Sequence, residues 1–189
     1  MRAPAVPRDF YERIHDRLWE RIGRELSLAH RVLDVGCGNC GLVRFLRRRY
    51  RQRVTGVDIS DGKLPRQDDP SCSRAALRCI KADASHLSFL RDGGVDGMVT
   101  TWALHEMADP KAVFREVFRV MRPGGEVLIV DFPRNGLAQH LWDEKYWTPE
   151  GVGTLLKKVG FVRVRARTIF QDQVIWAVGF RPSGTETKT

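Results

Sequence analysis

Apolar residues recur along this chain at two spacings, and the alternation between them predicts its elements. Residues 10–26, FYERIHDRLWERIGREL, place Phe10, Ile14, Leu18, Ile22 and Leu26 one helical turn apart. Asp9 stands where a helix cap would. RVLDV (31–35) reads as a buried strand, CGLVRFLRRRY (40–50) as a helix, and RVTGVD (53–58) as a second strand. LRCIKAD (77–83) predicts a third strand, SHLSFL (85–90) a short helix, and VDGMVTTW (95–102) a fourth strand. DPKAVFREVFRVM (109–121) is a helix with Asp109 as cap and Pro110 in its first turn. RPGG (122–125) predicts a turn and EVLIVDF (126–132) a fifth strand. TPEGVGTLLKKVG (148–160) is another capped helix, and FVRVRARTIF and VIWAVGFR flank Gln171, Asp172 and Gln173 as a hairpin would.

Strand–helix alternation of this kind predicts an α/β fold, a parallel sheet with helices on both faces, to which the hairpin adds an antiparallel strand. No internal repeat or linker interrupts the pattern, so residues 1–182 are expected to form a single domain and 183–189 a disordered tail. Segment 60–74, SDGKLPRQDDPSCSR, breaks the rhythm. A helix belongs between two parallel strands, but Pro65 and Pro70 leave room for a loop with at most a short helix.

Composition changes this picture little. Hydrophobic residues at 42% and charged residues at 29% are the mix of an ordinary globular chain. No apolar run approaches the roughly 18 residues of a membrane helix, and the first residues carry no secretory h-region. The expected compartment is cytoplasmic, where cysteines stay reduced. The net charge of +9 raises the question of an anionic partner. Arginine is simply used often, however, and is spread widely. RRRYRQR (47–53) and the alternating Arg163, Arg165 and Arg167 read as solvated faces.

The chemistry is concentrated in VLDVGCGNCG, 32–41. Gly36, Gly38 and Gly41 form G-x-G-x-x-G between a strand and a helix, the context that gives this motif weight. Glycines allow close backbone approach, and the following helix start offers N–H groups to an anionic moiety. Asp58 ends the second strand, where a carboxylate can accept from both ribose hydroxyls. Both NAD and S-adenosylmethionine carry a ribose. Asp34, just before the loop, would repel a pyrophosphate but suits an ammonium group, and Asp83 ends the third strand where it can accept from an adenine amino group. Cys37 and Cys40 overlay a C-x-x-C pair on the same loop. Structural zinc takes four ligands, and Cys72 and Cys79 lack the spacing of a second pair, so no metal is expected. A redox dithiol is the weaker reading, although Cys40 opens a helix, where a thiolate is stabilised.

With these motifs in order, the chain from about Arg31 to Arg181 resembles the class I S-adenosylmethionine-dependent methyltransferases, in particular the small type 11 group. VLDVGCGNCG resembles that family's first motif, VTGVDIS its ribose-binding strand end, and KADASHLSF its adenine-contacting motif. VDGMVTTWALHEMADP and VMRPGGEVLIVDF resemble its fourth- and fifth-strand motifs. The resemblance implies a Rossmann-like three-layer sandwich, with a seven-stranded, mostly parallel sheet whose last strand is antiparallel. It implies S-adenosyl-L-methionine as cofactor and S-adenosyl-L-homocysteine as product. Gly36, Cys37, Gly38 and Asn39 would then line the methionine part, with Asp34 near its amino group. Asp58 would hold the ribose and Ile59 would pack on the adenine. Asp83 and Ala84 would face the adenine amino group, and Trp102 and Ala103 would lie beside the cofactor. Cys37 would be a small residue that the loop tolerates.

Methyl transfer from a sulfonium is an in-line displacement that needs alignment and dryness, and a base only where the acceptor must lose a proton. His105 and Glu106, after the fourth strand, are the candidates for that base. Acceptor-side candidates are Tyr11, Asp131, His140, Trp142, Tyr146 and Trp147, whose aromatics suit a planar ligand. A small-molecule acceptor is expected, handled by a monomer or a homodimer without membrane contact. An RNA-directed or non-catalytic protein using the basic surface is the first alternative, and an NAD-dependent oxidoreductase the second.

Overall fold

The computed structural model describes residues 6–64 and 78–184. The expectations for the rest of segment 60–74 and for most of the tail lie outside the described residues. Seven strands form one sheet: β1 (Arg31–Val35), β2 (Arg53–Asp58), β3 (Cys79–Lys81), β4 (Val95–Thr101), β5 (Met121–Asp131), β6 (Val162–Ile169) and β7 (Val174–Phe180). Their order is β3-β2-β1-β4-β5-β7-β6, with β7 alone running against its neighbours. The helices are α1 (Phe10–Glu25), α2 (Gly41–Tyr50), α3 (Pro110–Val120), α4 (Leu137–Trp142) and α5 (Pro149–Val159).

Alternate residues of the strands feed two cores. Val32, Val54, Val99, Leu128, Val130 and Val178 pack against Ile14, Leu18 and Ile22 of α1 and Leu42, Val43 and Leu46 of α2. Leu33, Val57, Met98, Val127, Ile129 and Ala177 face the other way, onto Phe114 and Val117 of α3 and Val152 and Leu156 of α5. Each fully buried Leu, Ile or Phe contributes roughly 1.5–3 kcal/mol through lost apolar exposure, so the two cores hold the three layers together. Polar pins fix the strand starts. The Asp96 carboxylate accepts from the backbone N–H groups of His30 and Arg31 at 3.1 and 2.8 Å, and from the Arg31 and Arg122 guanidinium groups at 2.8 and 3.1 Å.

Helices α3 and α5 start as their sequences predict. Asp109 accepts from the Ala112 N–H at 3.0 Å, and Thr148 from the Gly151 N–H at 3.1 Å. Gly160 ends α5 at φ +119, which a residue with a side chain would resist. Asp9 does not cap α1. Its backbone is not in the extended cap conformation, and its carboxylate turns along the helix to Arg13 at 2.8 Å.

Three other expectations give way. Residues 85–90 form turns, not a helix. Asp83 accepts from the Ser85 N–H, Glu116 of α3 takes the Leu87 N–H, and Arg119 donates to the Leu87 and Leu90 carbonyls, so neighbours rather than helical bonds satisfy this backbone. RPGG (122–125) falls inside β5 as a bulge, with the register jumping between Val95↔Met121 and Gly97↔Glu126. The cysteines are not all reduced, since Cys40 and Cys79 form a disulfide. The parallel register Gly56↔Cys79 brings β3 beside the start of α2, and the two Cα atoms stand 6.6 Å apart.

Candidate cofactor and acceptor site

Strand order reverses between β1 and β4, and a crevice at the C-terminal ends of parallel strands is expected at that point. There the chain turns sharply after β1. Gly36 and Gly38 take φ +75 and +50, and the Gly36 and Cys37 N–H groups donate to the Val57 carbonyl at 2.8 and 3.0 Å. A side chain on Gly36 would meet the Ala103 Cβ at 2.3 Å, whereas one on Gly38 would meet nothing within 4 Å. The loop is therefore packed tightly on one side and open on the other. The Asp58 carboxylate closes it by accepting from the Gly38 and Ser60 N–H groups at 2.9 and 2.8 Å.

A cavity of about 640 Å³ opens over this turn, within the range of small-ligand sites. Gly36, Gly38, Asp58, Ile59, Asp83, Ala84, Trp102 and Ala103 line it, as does Glu106. Asp34, Cys37 and Asn39 do not. Asp34 lies beneath the turn, 2% exposed. Burial first, and then the Asp58 charge, push its carboxyl up to about 7. Cys37 points away, its Sγ 3.8 Å from that of Cys40, and burial raises its thiol further above the usual range. The Asn39 Oδ1 accepts from the Gly41 N–H at 3.0 Å, a local turn just before α2. Lys63, Ser85, His86 and Met107 also line the cavity. Nothing in the pattern singled them out, because they arrive on irregular segments. Lys63 Nζ and Glu106 Oε2 pair at 2.9 Å, joining the turns after β2 and β4. A second groove, of about 740 Å³, lies at the β6 edge among charges of both signs, away from the strand ends.

His105 does not line the cavity. Its Nδ1 lies 2.7 Å from Asp131 Oδ1 and its Nε2 3.2 Å from Glu144 Oε2, and the side chain is 6% exposed. Burial alone would lower its pKa, but the hydrogen bond and charge of Asp131, with Glu144 and Glu106, outweigh it and hold the imidazole above 6.5. Both ring nitrogens are engaged by carboxylates, so neither is open to a substrate proton.

Four of the acceptor-side candidates gather around this ion group. Asp131 anchors it, and Tyr11, Trp142 and Tyr146 surround Phe132 at ring distances of 4.7, 5.2 and 5.6 Å. Trp102 stacks on Phe132 at 4.1 Å and 8°. Phe132 and Glu144 were missed by sequence reasoning. Phe132 reads as the last apolar residue of a strand, and Glu144 as one charge among several in a loop. His140 is exposed, and Trp147 packs into the core beside α5. Tyr11 is half-buried, and that desolvation pushes its hydroxyl up to about 12. Phe10 packs in the core beneath α1. Trp102, with φ +57, is shared by the cavity wall and the aromatic cluster.

A sheet of this order, with a glycine turn on β1, acidic ends on β2 and β3 and a cavity at the reversal, defines a Rossmann-like nucleotide-cofactor domain. Comparison narrows the class. Residues 33–129 match the family described as "Methyltransferase domain", and the chain belongs to that family. It is 34% identical over 128 residues to Methyltransferase GfsG of Streptomyces halstedii, covering 66% of this chain and 45% of that one. It is 38% identical over 102 residues to 2-methyl-6-phytyl-1,4-hydroquinone methyltransferase of Synechocystis sp., covering 53% and 31%. The chain thus spans less than half the length of either relative. A SAM dependent methyltransferase from Archaeoglobus fulgidus shares the fold, with a TM-score of 0.71 at 17% identity, over 91% of this chain and 98% of that one.

Proposed function

We propose that this chain is an S-adenosylmethionine-dependent methyltransferase acting on a small planar acceptor. The observation that carries the reading is the shared wall. Trp102 borders the cavity over the glycine turn and stacks within the aromatic cluster, so donor and acceptor seats would adjoin. The residues suit the cofactor. The open side of Gly38 leaves backbone accessible, Asp34 beneath the turn puts negative charge under the seat of an ammonium group, and Asp58 has lone pairs left for ribose hydroxyls. Asp83 and Ala84 stand where an adenine edge would end.

When bound, S-adenosylmethionine supplies a methyl group already activated on a sulfonium. The protein's part is to align the acceptor and exclude water. Tyr11, Phe132, Trp142 and Tyr146 present ring faces and edges for a planar partner. His105 is a positioning residue in this reading, holding Asp131 and Glu144 together behind the cluster. Glu106, paired with Lys63 at the cavity wall, is the carboxylate of the His105–Glu106 pair that a bound ligand would meet. The relative from Synechocystis, named for a hydroquinone, supports an aromatic acceptor class.

Calorimetry of the full chain with S-adenosylhomocysteine tests the cofactor half. Micromolar binding, weakened at least tenfold by Asp58→Ala, is expected, and absence of binding overturns the reading. A panel of phenols, hydroquinones, amines and RNA with radiolabelled methyl donor tests the other half. Label entering RNA alone would refute the small-molecule acceptor.

A further inference from the structure

The C-x-x-C pair within the glycine loop plays no part in this function, and the fold gives it a third member. The Sγ atoms of Cys37, Cys40 and Cys79 all lie within 4.8 Å of one another, and all three residues are buried. Cys79 is 39 residues from Cys40 in sequence and reaches it through the β2–β3 register. Gly56 makes the meeting place. It pairs with Cys79, and a Cβ on it would stand 2.8 Å from the Cys37 Sγ. The missing side chain leaves the space that the Cys37 sulfur occupies. Cys40 holds its place at φ +59, a left-handed conformation that a non-glycine residue adopts at a cost.

We propose that, in the reduced chain, Cys37, Cys40 and Cys79 bind one thiophilic metal ion of the zinc class, and that the Cys40–Cys79 disulfide is the oxidised, metal-free state of the same site. Zinc–thiolate bonds of about 2.3 Å put neighbouring sulfurs about 3.8 Å apart in a tetrahedral site. The Cys37–Cys40 separation is already 3.8 Å. Opening the Cys40–Cys79 bond to a similar distance needs only side-chain rotation, since a Cα separation of 6.6 Å accommodates either state. A dithiol reductant delivers two electrons and two protons, becomes a disulfide itself, and leaves thiols on Cys40 and Cys79. The ion then displaces the three thiol protons to solvent as three sulfur–metal bonds form. Soft thiolates select zinc, cadmium or copper(I) over magnesium or calcium. The bound ion would tie the glycine loop to the strand that leads into the Asp83 end of the cavity.

The test uses the full chain, reduced with dithiothreitol, desalted without air and titrated with cadmium(II). A sulfur-to-metal charge-transfer absorption that saturates at one ion per chain is expected, with no such band in the oxidised chain. Cys37→Ser keeps both disulfide partners, so it should still oxidise but bind cadmium at least tenfold more weakly. The Cys79→Ser variant should show the same weakening. No band in the reduced wild type, or a Cys37→Ser titration matching wild type, overturns the proposal and leaves a disulfide only. Neither readout depends on methyl transfer, so the outcome is separate from that of the proposed function.

Discussion

Replacing Asp34 by Asn should make the protein more stable and its cofactor binding weaker. The side chain is 2% exposed beneath the glycine turn, and its carboxyl is raised from 3.8 to about 7. The folded state therefore holds a proton that the unfolded chain has released between about pH 4 and 7. More protons are bound in the native state, so stability falls as pH rises across that window. At 1.36 kcal/mol per tenfold difference, the penalty reaches on the order of 4 kcal/mol above pH 7. Asn mimics the protonated acid and removes it. Urea unfolding of cofactor-free wild type and Asp34→Asn at pH 5 and pH 8 measures this directly. The variant should gain several kcal/mol at pH 8 and far less at pH 5. In the same samples, affinity for S-adenosylhomocysteine at pH 8 should fall about tenfold, the loss of a buried negative charge beneath the seat of its ammonium group. Equal stabilities at pH 8, or a difference that does not change with pH, would refute the argument that Asp34 is held as a strained buried acid.

Other residues offer independent checks. His105→Ala leaves Asp131, which is fully buried, without its imidazole partner and should cost about 3 kcal/mol in denaturant unfolding near neutral pH. Because the folded state raises the imidazole pKa, the charge-linked part of this contribution is complete at low pH and lost as pH rises through the folded value, so the gap between variant and wild type should narrow in alkali. Glu126 is pushed up to about 7 by burial and then by the Glu25 charge, so Glu126→Gln should raise the melting temperature at pH 8 and leave it nearly unchanged at pH 4. Gly56→Ala would drive a methyl group to 2.8 Å from Cys37 Sγ and 2.9 Å from Val43 Cγ2, and should cost about 1–3 kcal/mol by calorimetry.

What could be read in the sequence was what local chemistry determines. RVLDV and RVTGVD end where the strands end, because apolar runs buried on both faces of a parallel sheet are bounded by polar residues and glycine. Gly36, Gly38, Asp58 and Asp83 could be brought to one end of the sheet from their places at strand ends, and all four line the cavity there. Helix α4 escaped notice because six residues carry too little periodicity to register, and no side chain caps it. Residues 85–90 misled because Leu87 and Leu90 have helical spacing, while the bonds that settle their conformation come from Glu116 and Arg119 in another element. The cysteine cluster was invisible for a related reason. Pair spacing along the chain says nothing about which strand lies next to which, and Cys79 meets Cys40 only through the sheet register. The His105 ion group likewise joins three segments, and no one of them signals it.

Trp102 also bears on how such a chain can diverge. The residues on its donor side come from the turns after β1, β2, β3 and β4, whereas its aromatic neighbours come from α1, the end of β5 and the segment 137–147. The two sets meet in one indole. If the cavity is the donor site and the cluster the acceptor seat, as proposed, substitutions in α1 and in 137–147 would retailor the acceptor seat without touching the cavity wall, and Trp102 is the position where the two constraints must be met together.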